Sequence, residues 1–220
     1  IHTGERGILV TNDDLIAERL QLIRNHAEVV VEDKGVKDIV NLIGHNFRLG
    51  EIECAIGIEQ LKKLKHLVES RQTFAKKLTT GLKNLKGLKT PFVNEQGTHV
   101  YYMYALKVDE KILGVTRDRI VDALIAEGLN VSNKYQNIHL LPTYQKKIAF
   151  GSKGFPWNSE FCKREVDYSK GICPNAEYLN DHAYIGFGMC VYDLTIEDIK
   201  LIIKAFHKVW ENLDDLQDIK

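Results

Sequence analysis

The stretch from Gly50 to Leu85 constrains the fold more than any other part of this chain. Ile52, Ala55, Ile56, Leu61, Leu64, Leu67 and Val68 recur at helical spacing, and Phe74, Leu78, Leu82 and Leu85 carry the pattern on until Gly87 and Pro91 end it. Its first half is apolar on more than one face, with Cys54 and Ile58 joining the stripe, which predicts burial on both sides. Its second half is polar between the leucines. A helix this long suits a connection between two domains, so the chain is divided into residues 1–80 and 81–220.

Before the helix, Gly7-Ile8-Leu9-Val10-Thr11 is a short apolar run bounded by glycine and Asn12-Asp13-Asp14, and reads as a buried strand. Asn12 or Asp13 then caps a helix running to about Arg24, with Ile16, Leu20 and Ile23 on one face. Residues 28–41 read as a loop or hairpin. The part after the helix reads as α/β. Strands are expected over Val100–Val108, Leu129–Tyr135 and Ala183–Met189. Between the first two lies a helix capped by Thr116, with Ile120, Val121, Leu124 and Ile125 facing the core and Gly128 as its stop. Residues 136–182 read as irregular. The last helix is the clearest: Thr195 and Asp198 form a capping box, and Ile196, Ile199, Ile203, Phe206, Trp210 and Leu213 form its stripe.

Charge and composition exclude several classes of function. Thirty basic residues balance thirty acidic ones, which argues against a general binder of nucleic acid or membrane surface. No run of about 18 apolar residues could span a membrane. The four cysteines, Cys54, Cys162, Cys173 and Cys190, form no C-x-x-C pair and read as reduced thiols of a cytoplasmic protein. The eight histidines show no metal-ligand spacing, so no metal site is expected.

Two segments carry candidate chemistry. Gly44-His45-Asn46-Phe47-Arg48-Leu49-Gly50-Glu51 leads into the start of the long helix, where free N–H groups suit an anion such as phosphate. Asn46 can donate to that anion, and Arg48 can grip it bidentately. From the residues alone, a turn-supporting Asn and an Arg paired with Glu51 is the favoured reading. The second segment runs from Asn133 to Tyr144, just after an expected strand, where α/β folds often place ligands. His139 could bind or shuttle protons there, and Tyr135 and Tyr144 could hold a sugar or a ring. It could also be an aromatic loop around a satisfied histidine, and the same ambiguity holds for His99. Cys173-Pro174 reads as a packed turn.

Three ordered segments carry a resemblance: Thr3-Gly4-Glu5-Arg6-Gly7-Ile8-Leu9-Val10-Thr11-Asn12-Asp13, then Arg24-Asn25-His26, then Gly44 to Leu49 with Glu51-Ile52-Glu53-Cys54-Ala55-Ile56-Gly57. Together they resemble the DegT/DnrJ/EryC1/StrS family of sugar aminotransferases, which use pyridoxal 5'-phosphate (PLP) on the aspartate-aminotransferase fold. His99-Val100-Tyr101-Tyr102, Ala126-Glu127-Gly128, His139 to Tyr144 and Cys173-Pro174-Asn175-Ala176-Glu177 agree with it. Arg6, where the family pattern has glycine, and His45, where tyrosine is commoner, depart from it.

The resemblance implies an α/β fold made of the end of the large PLP-binding domain and the small C-terminal domain. It implies a Schiff-base lysine upstream of Ile1, since the first lysine here is Lys34, so no catalytic residue is assigned within these 220 residues. Asn46 and Arg48 match the family positions that reach the PLP phosphate of the other subunit in a homodimer. Tyr135 and His139 fall where the small domain approaches the sugar nucleotide. The implied activity is transfer of an amine from glutamate or glutamine to a nucleotide-linked keto sugar, for amino-sugar or surface-polysaccharide synthesis. Two alternatives stay open: a PLP-dependent sugar dehydratase with histidine in place of the lysine, and a non-catalytic ligand-binding or regulatory homologue.

Overall fold

The computed structural model describes residues 1–5, 7–28 and 42–217, and divides into two units, Ile1–Leu67 and Val68–Lys220. The division falls inside the long helix, ahead of the residue 81 at which the sequence reading begins its second domain.

In the first unit, Asp13 caps helix α1 (Asp14–Arg24) by accepting from the backbone N–H of Ile16 at 3.0 Å. The chain leaves α1 through two consecutive left-handed residues, His26 and Ala27, with φ of 61° and 57°. The segment 45–47 then runs back against this exit. His45 N–H donates to the carbonyl of Ile23 at 2.7 Å, His26 N–H to that of His45 at 3.0 Å, and Phe47 N–H to that of Arg24 at 3.0 Å. Gly44 permits the approach, because a Cβ there would lie 2.1 Å from the backbone nitrogen of Ala27. Helix α2 (Glu51–Leu82) follows.

Two expectations about this unit need correction. Residues 7–11 form no strand, and their side chains are exposed, Val10 at 90%. A strand exists only where a neighbour exchanges backbone hydrogen bonds with it, and no described residue does so here. The first half of α2 is not buried on both sides either. Ile52 is 77% exposed, and Ile56, Ile58 and Leu61 are exposed as well. Their spacing makes them helical, but burial needs a covering element, and the described residues of this unit supply none. The loop or hairpin expected over 28–41 falls almost wholly outside the described residues, as does Arg6.

The second unit is a four-stranded antiparallel sheet in the order β1-β2-β4-β3, with helices on its buried face. Its elements are β1 (Leu88–Lys89), β2 (Tyr104–Val108), α3 (Glu110–Leu113), α4 (Arg117–Ala126), β3 (Val131–Ser132), α5 (Pro142–Gln145), α6 (Pro174–Tyr178), β4 (Tyr184–Phe187) and α7 (Ile196–Glu211). A π-helical turn, Leu179–Ala183, joins α6 to β4. Tyr104, Leu106 and Val108 of β2 alternate inward, and the register sets Tyr104 opposite Phe187 and Leu106 opposite Ile185. These side chains meet Ile120, Val121 and Leu124 of α4, Ile199 and Phe206 of α7, and Ala75, Leu78 and Leu82 from the end of α2 in one core cluster.

Helix α7 starts at the expected box, with Thr195 and Asp198 bonded reciprocally. Its buried stripe is Ile199, Ile202, Ala205, Phe206 and Val209. It grips the end of α2: His207 Nε2 lies 2.9 Å from the carbonyl oxygen of Gly81, and Trp210 Nε1 donates to the carbonyl of Lys86 at 2.8 Å. Gly81 has no Cβ for a reason, since one would fall 2.6 Å from the Ile203 side chain.

All three strands are shorter than expected. The first begins only at Tyr104, because Tyr101 has a left-handed φ of 52° and its N–H is taken by His99 Nδ1 at 2.8 Å. The second ends at Ser132, because the groups beyond it bond to side chains rather than to β4. The third covers Tyr184–Phe187. Ile125, expected in the core, lies on the exposed side of α4. Residues 136–182 hold short helical turns rather than wholly irregular chain.

Candidate functional site

The two candidate segments lie in different units, and each is built separately. In the first unit, the paired exit of α1 holds Asn46 opposite Asn25 in an isolated antiparallel bridge. Asn25 is buried, and its Oδ1 accepts from a guanidinium nitrogen of Arg48 at 2.5 Å, while its Nδ2 donates to the carbonyl of Glu28 at 3.3 Å. The side chains of Asn46 and Arg48 are exposed. Arg48 is therefore braced by a neutral amide, which fixes its direction without cancelling its charge.

Among the described residues Arg48 forms no ion pair with Glu51, the pairing that the sequence left open; its guanidinium donates to Asn25 instead. The start of α2 contributes less than its dipole suggests. Glu51 and Glu53 sit in its first turn, and the Glu53 carboxylate lies over Gly50, 2.4 Å from where a Cβ would stand. Those charges already complement the helix end. Asn46 and Arg48 remain exposed and carry the amide and guanidinium donors of the kind that bind anions. Asn25 carries the arrangement, and sequence reasoning assigned it no role. The signal was present in two motifs, Arg24-Asn25-His26 and Gly44 to Arg48, which prove to be bonded to each other.

In the second unit, residues 133–139 leave the sheet and are held by α4 and by the α6 side of the fold. Asn133 Nδ2 donates to Asp118 Oδ1 at 2.7 Å. The backbone N–H of Tyr135 donates to Asn180 Oδ1 at 3.1 Å, and Asn180 Nδ2 donates to Asn137 Oδ1 at 2.8 Å. His139 Nε2 meets Glu177 Oε1 at 2.9 Å; Glu177 is buried and His139 half-buried. Tyr135 itself is 62% exposed, with its ring edge-on to Tyr184 at 6.4 Å.

Glu177 is 6% exposed and takes further hydrogen bonds from the backbone N–H groups of Gly171, at 2.7 and 2.8 Å, and of Cys173, at 3.3 Å. Burial pushes its carboxyl up, but the bonds from Gly171, His139 and Cys173 outweigh it and hold the group below the ordinary carboxylate range. Arg117, 3% exposed, donates to the carbonyls of Tyr184, Asn180 and Asp181 at 3.0 Å each, and to Asp118 Oδ1 at 2.6 Å. It satisfies carbonyls around the π-helical turn.

The remaining candidates are structural. Tyr144 packs with Trp157 and Tyr168, and Trp157 Nε1 donates to Tyr168 Oη at 3.1 Å. His99 stacks on Tyr101 with ring centroids 4.2 Å apart. Cys173 caps α6 with Pro174 in its first turn. Among the described residues there is no cluster able to hold a metal, and no helix is long and apolar enough to cross a membrane.

The model of the DegT/DnrJ/EryC1/StrS aminotransferase family matches residues 1–170. The chain belongs to that family. It is 30% identical over 171 residues to the spore coat polysaccharide biosynthesis protein SpsC of Bacillus subtilis, covering 74% of this chain and 44% of SpsC. It is 30% identical over 145 residues to the GDP-perosamine synthase of Caulobacter vibrioides, covering 66% of this chain and 38% of that protein. The fold is that of solved sugar aminotransferases. The DesV structure from S. venezuelae, described as a complex with a ketimine intermediate, superposes with a TM-score of 0.68 at 22% identity, over 92% of this chain and 46% of DesV. Helicobacter pylori PseC, an aminotransferase of pseudoaminic acid biosynthesis, does so with a TM-score of 0.64 at 24% identity, over 92% of this chain and 48% of PseC. The chain spans about half the length of such relatives, or less, and its mixed α/β architecture is a part of their fold.

Proposed function

We propose that the protein containing this chain is a PLP-dependent aminotransferase that moves an amine from glutamate or glutamine to a nucleotide-linked keto sugar. The observation that carries the reading is the braced Arg48 beside the exposed Asn46, set within a family match that runs from residue 1 to residue 170. The names of SpsC and GDP-perosamine synthase support a sugar substrate and a role in polysaccharide or amino-sugar synthesis.

In this reading Arg48 and Asn46 bind the phosphate of PLP in the other subunit of a homodimer, working in the cytoplasm. Charge-assisted bonds from Arg48 hold a dianion firmly, and the Asn25 amide keeps the guanidinium in place. When bound, PLP supplies an electron sink for chemistry at the carbon that carries the amine. The segment with Tyr135 and His139 forms the sugar-nucleotide wall of the small domain. Tyr135 offers an exposed ring and hydroxyl, and His139 anchors the segment through Glu177. The domains of the reading are 1–80, the end of the large domain with the long helix, and 81–220, the small domain.

The test is an absorbance spectrum of the full-length protein with PLP. The visible band of the bound cofactor is expected to bleach on adding glutamate and to recover on adding a nucleotide-linked keto sugar. Bleaching by no amino acid would overturn the aminotransferase reading, and bleaching without recovery by any keto sugar would overturn the sugar substrate.

A further inference from the structure

Residues 133–137 have no regular secondary structure, yet three of them are tied down by side chains from elsewhere in the fold. Asn133 is bonded to Asp118, Tyr135 through its backbone N–H to Asn180, and Asn137 through its side chain to the same Asn180. One amide thus uses its oxygen on Tyr135 and its nitrogen on Asn137. The nitrogen also donates to the carbonyl of Ala176 at 3.1 Å, one helical turn back. Two residues on, the buried Glu177 holds His139. Glu177 and Asn180 lie three apart where α6 runs into the π-helical turn, so they project from neighbouring places on one element.

We propose that Asn180, with Glu177 as its second anchor, is the positioning residue that sets the 135–139 segment for recognition of the sugar nucleotide. The inference rests on the reading of Tyr135 and His139 as the sugar-nucleotide wall. Four observations converge on it. The backbone at Tyr135 is fixed, while the Tyr135 ring stays exposed for contact. The fixing groups are donor and acceptor of a single side chain, so its amide orientation is set by its partners. Asn180 sits in a π-helical turn, a distortion that is uncommon in general and found often at functional sites. That turn is itself held by the buried Arg117 through the carbonyls of Asn180 and Asp181. A loop held this way pays little ordering cost when ligand arrives.

Asn180 touches no reacting atom in this scheme and acts through Tyr135. Its loss should therefore weaken the sugar-nucleotide step and leave the amino-acid step alone. The experiment uses the full-length protein with PLP and compares the native chain with Asn180→Ala and Asn180→Asp. Two readouts are taken separately: bleaching of the cofactor band by glutamate, and KM and kcat for the keto-sugar nucleotide. Asn180→Ala is expected to raise the sugar KM about three- to tenfold, the size of one neutral hydrogen bond, with kcat and the glutamate step within twofold.

Asn180→Asp keeps an acceptor for Tyr135 and loses the donor to Asn137, so its KM should fall between the two, and it serves if the alanine variant fails to fold. A loss shared equally by the glutamate and sugar steps would overturn the proposal, as would an unchanged sugar KM in both variants. A native protein inert in both steps would overturn the aminotransferase reading itself, an outcome separable from the other two.

Discussion

The two units of this chain answer the same physical problem in different ways. The second unit closes a core within itself: Phe206, Leu124, Leu78 and Ile185 are almost completely buried around one sheet face. The first unit holds its motifs by hydrogen bonds and leaves its apolar side chains outward, with Ile8, Leu9 and Val10 on one segment and Ile52, Ile58 and Leu61 on another. Apolar side chains left outward along two segments are the kind of surface that another surface covers. The comparison teaches that one helix, α2, can carry two kinds of sequence. Its last turns encode packing that the second unit completes, and its first turns encode packing that the described residues do not complete.

The sharpest way to break that comparison is a pair of truncations. Phe206→Ala should cost about 3–5 kcal/mol of stability in urea unfolding, the price of a large core cavity. Ile52→Ala in the same 220-residue chain should change it by no more than about 0.5 kcal/mol. Comparable losses for both would mean that the first unit buries Ile52 in solution. Next in size is Arg117→Met, which strips three carbonyls of their donor in the second unit. It should cost about 3 kcal/mol and lower the thermal midpoint accordingly.

In the first unit the matching experiment reads binding rather than stability. Asn25→Ala in the full-length protein should weaken PLP about three- to tenfold by absorbance titration, because Arg48 loses its brace. Thr195→Ala removes one half of the capping box of α7 and should cost about 1 kcal/mol.

The effects of pH have opposite signs. Burial raises the Tyr104 hydroxyl from 10.0 to about 12, against the lowering bond from Thr79. The native state keeps that proton longer than the unfolded chain, so this contribution is whole below pH 10 and is lost as pH rises toward 12. An ultraviolet titration should show the Tyr104 phenol ionising well after the exposed ones. Glu177 is held below its ordinary 4.5, so its contribution is whole above that value and is lost as pH falls through the lower one. Glu177→Gln should flatten the acid limb of the unfolding curve.

The sequence made the helices legible where a periodic stripe coincided with a cap, as with Asp13 before α1 and Thr195 before α7. It was less informative on strands, because strand length depends on the partner. Nothing in Val100 to Met103 announces that Tyr101 turns left-handed and bonds to His99. Burial was misread where the described residues supply no covering surface, as at Gly7–Thr11 and the start of α2. The candidate site was legible as motifs but not as geometry. Asn46, Arg48, Tyr135 and His139 were visible as polar residues in telling places, whereas Asn25, Glu177 and Asn180 act through contacts made over long stretches of sequence.

The π-helical turn at Leu179–Ala183 has a consequence for descent. The turn follows α6 and leads straight into β4. Deleting a residue between Glu177 and Asn180 would turn these two side chains about 100° from their present relation. It would also carry the carbonyls of Asn180 and Asp181 away from the Arg117 guanidinium and leave it only that of Tyr184. Length at 179–183 and the role of residue 117 are therefore inherited together: a lineage that shortens the turn is expected to change the arginine's partners with it.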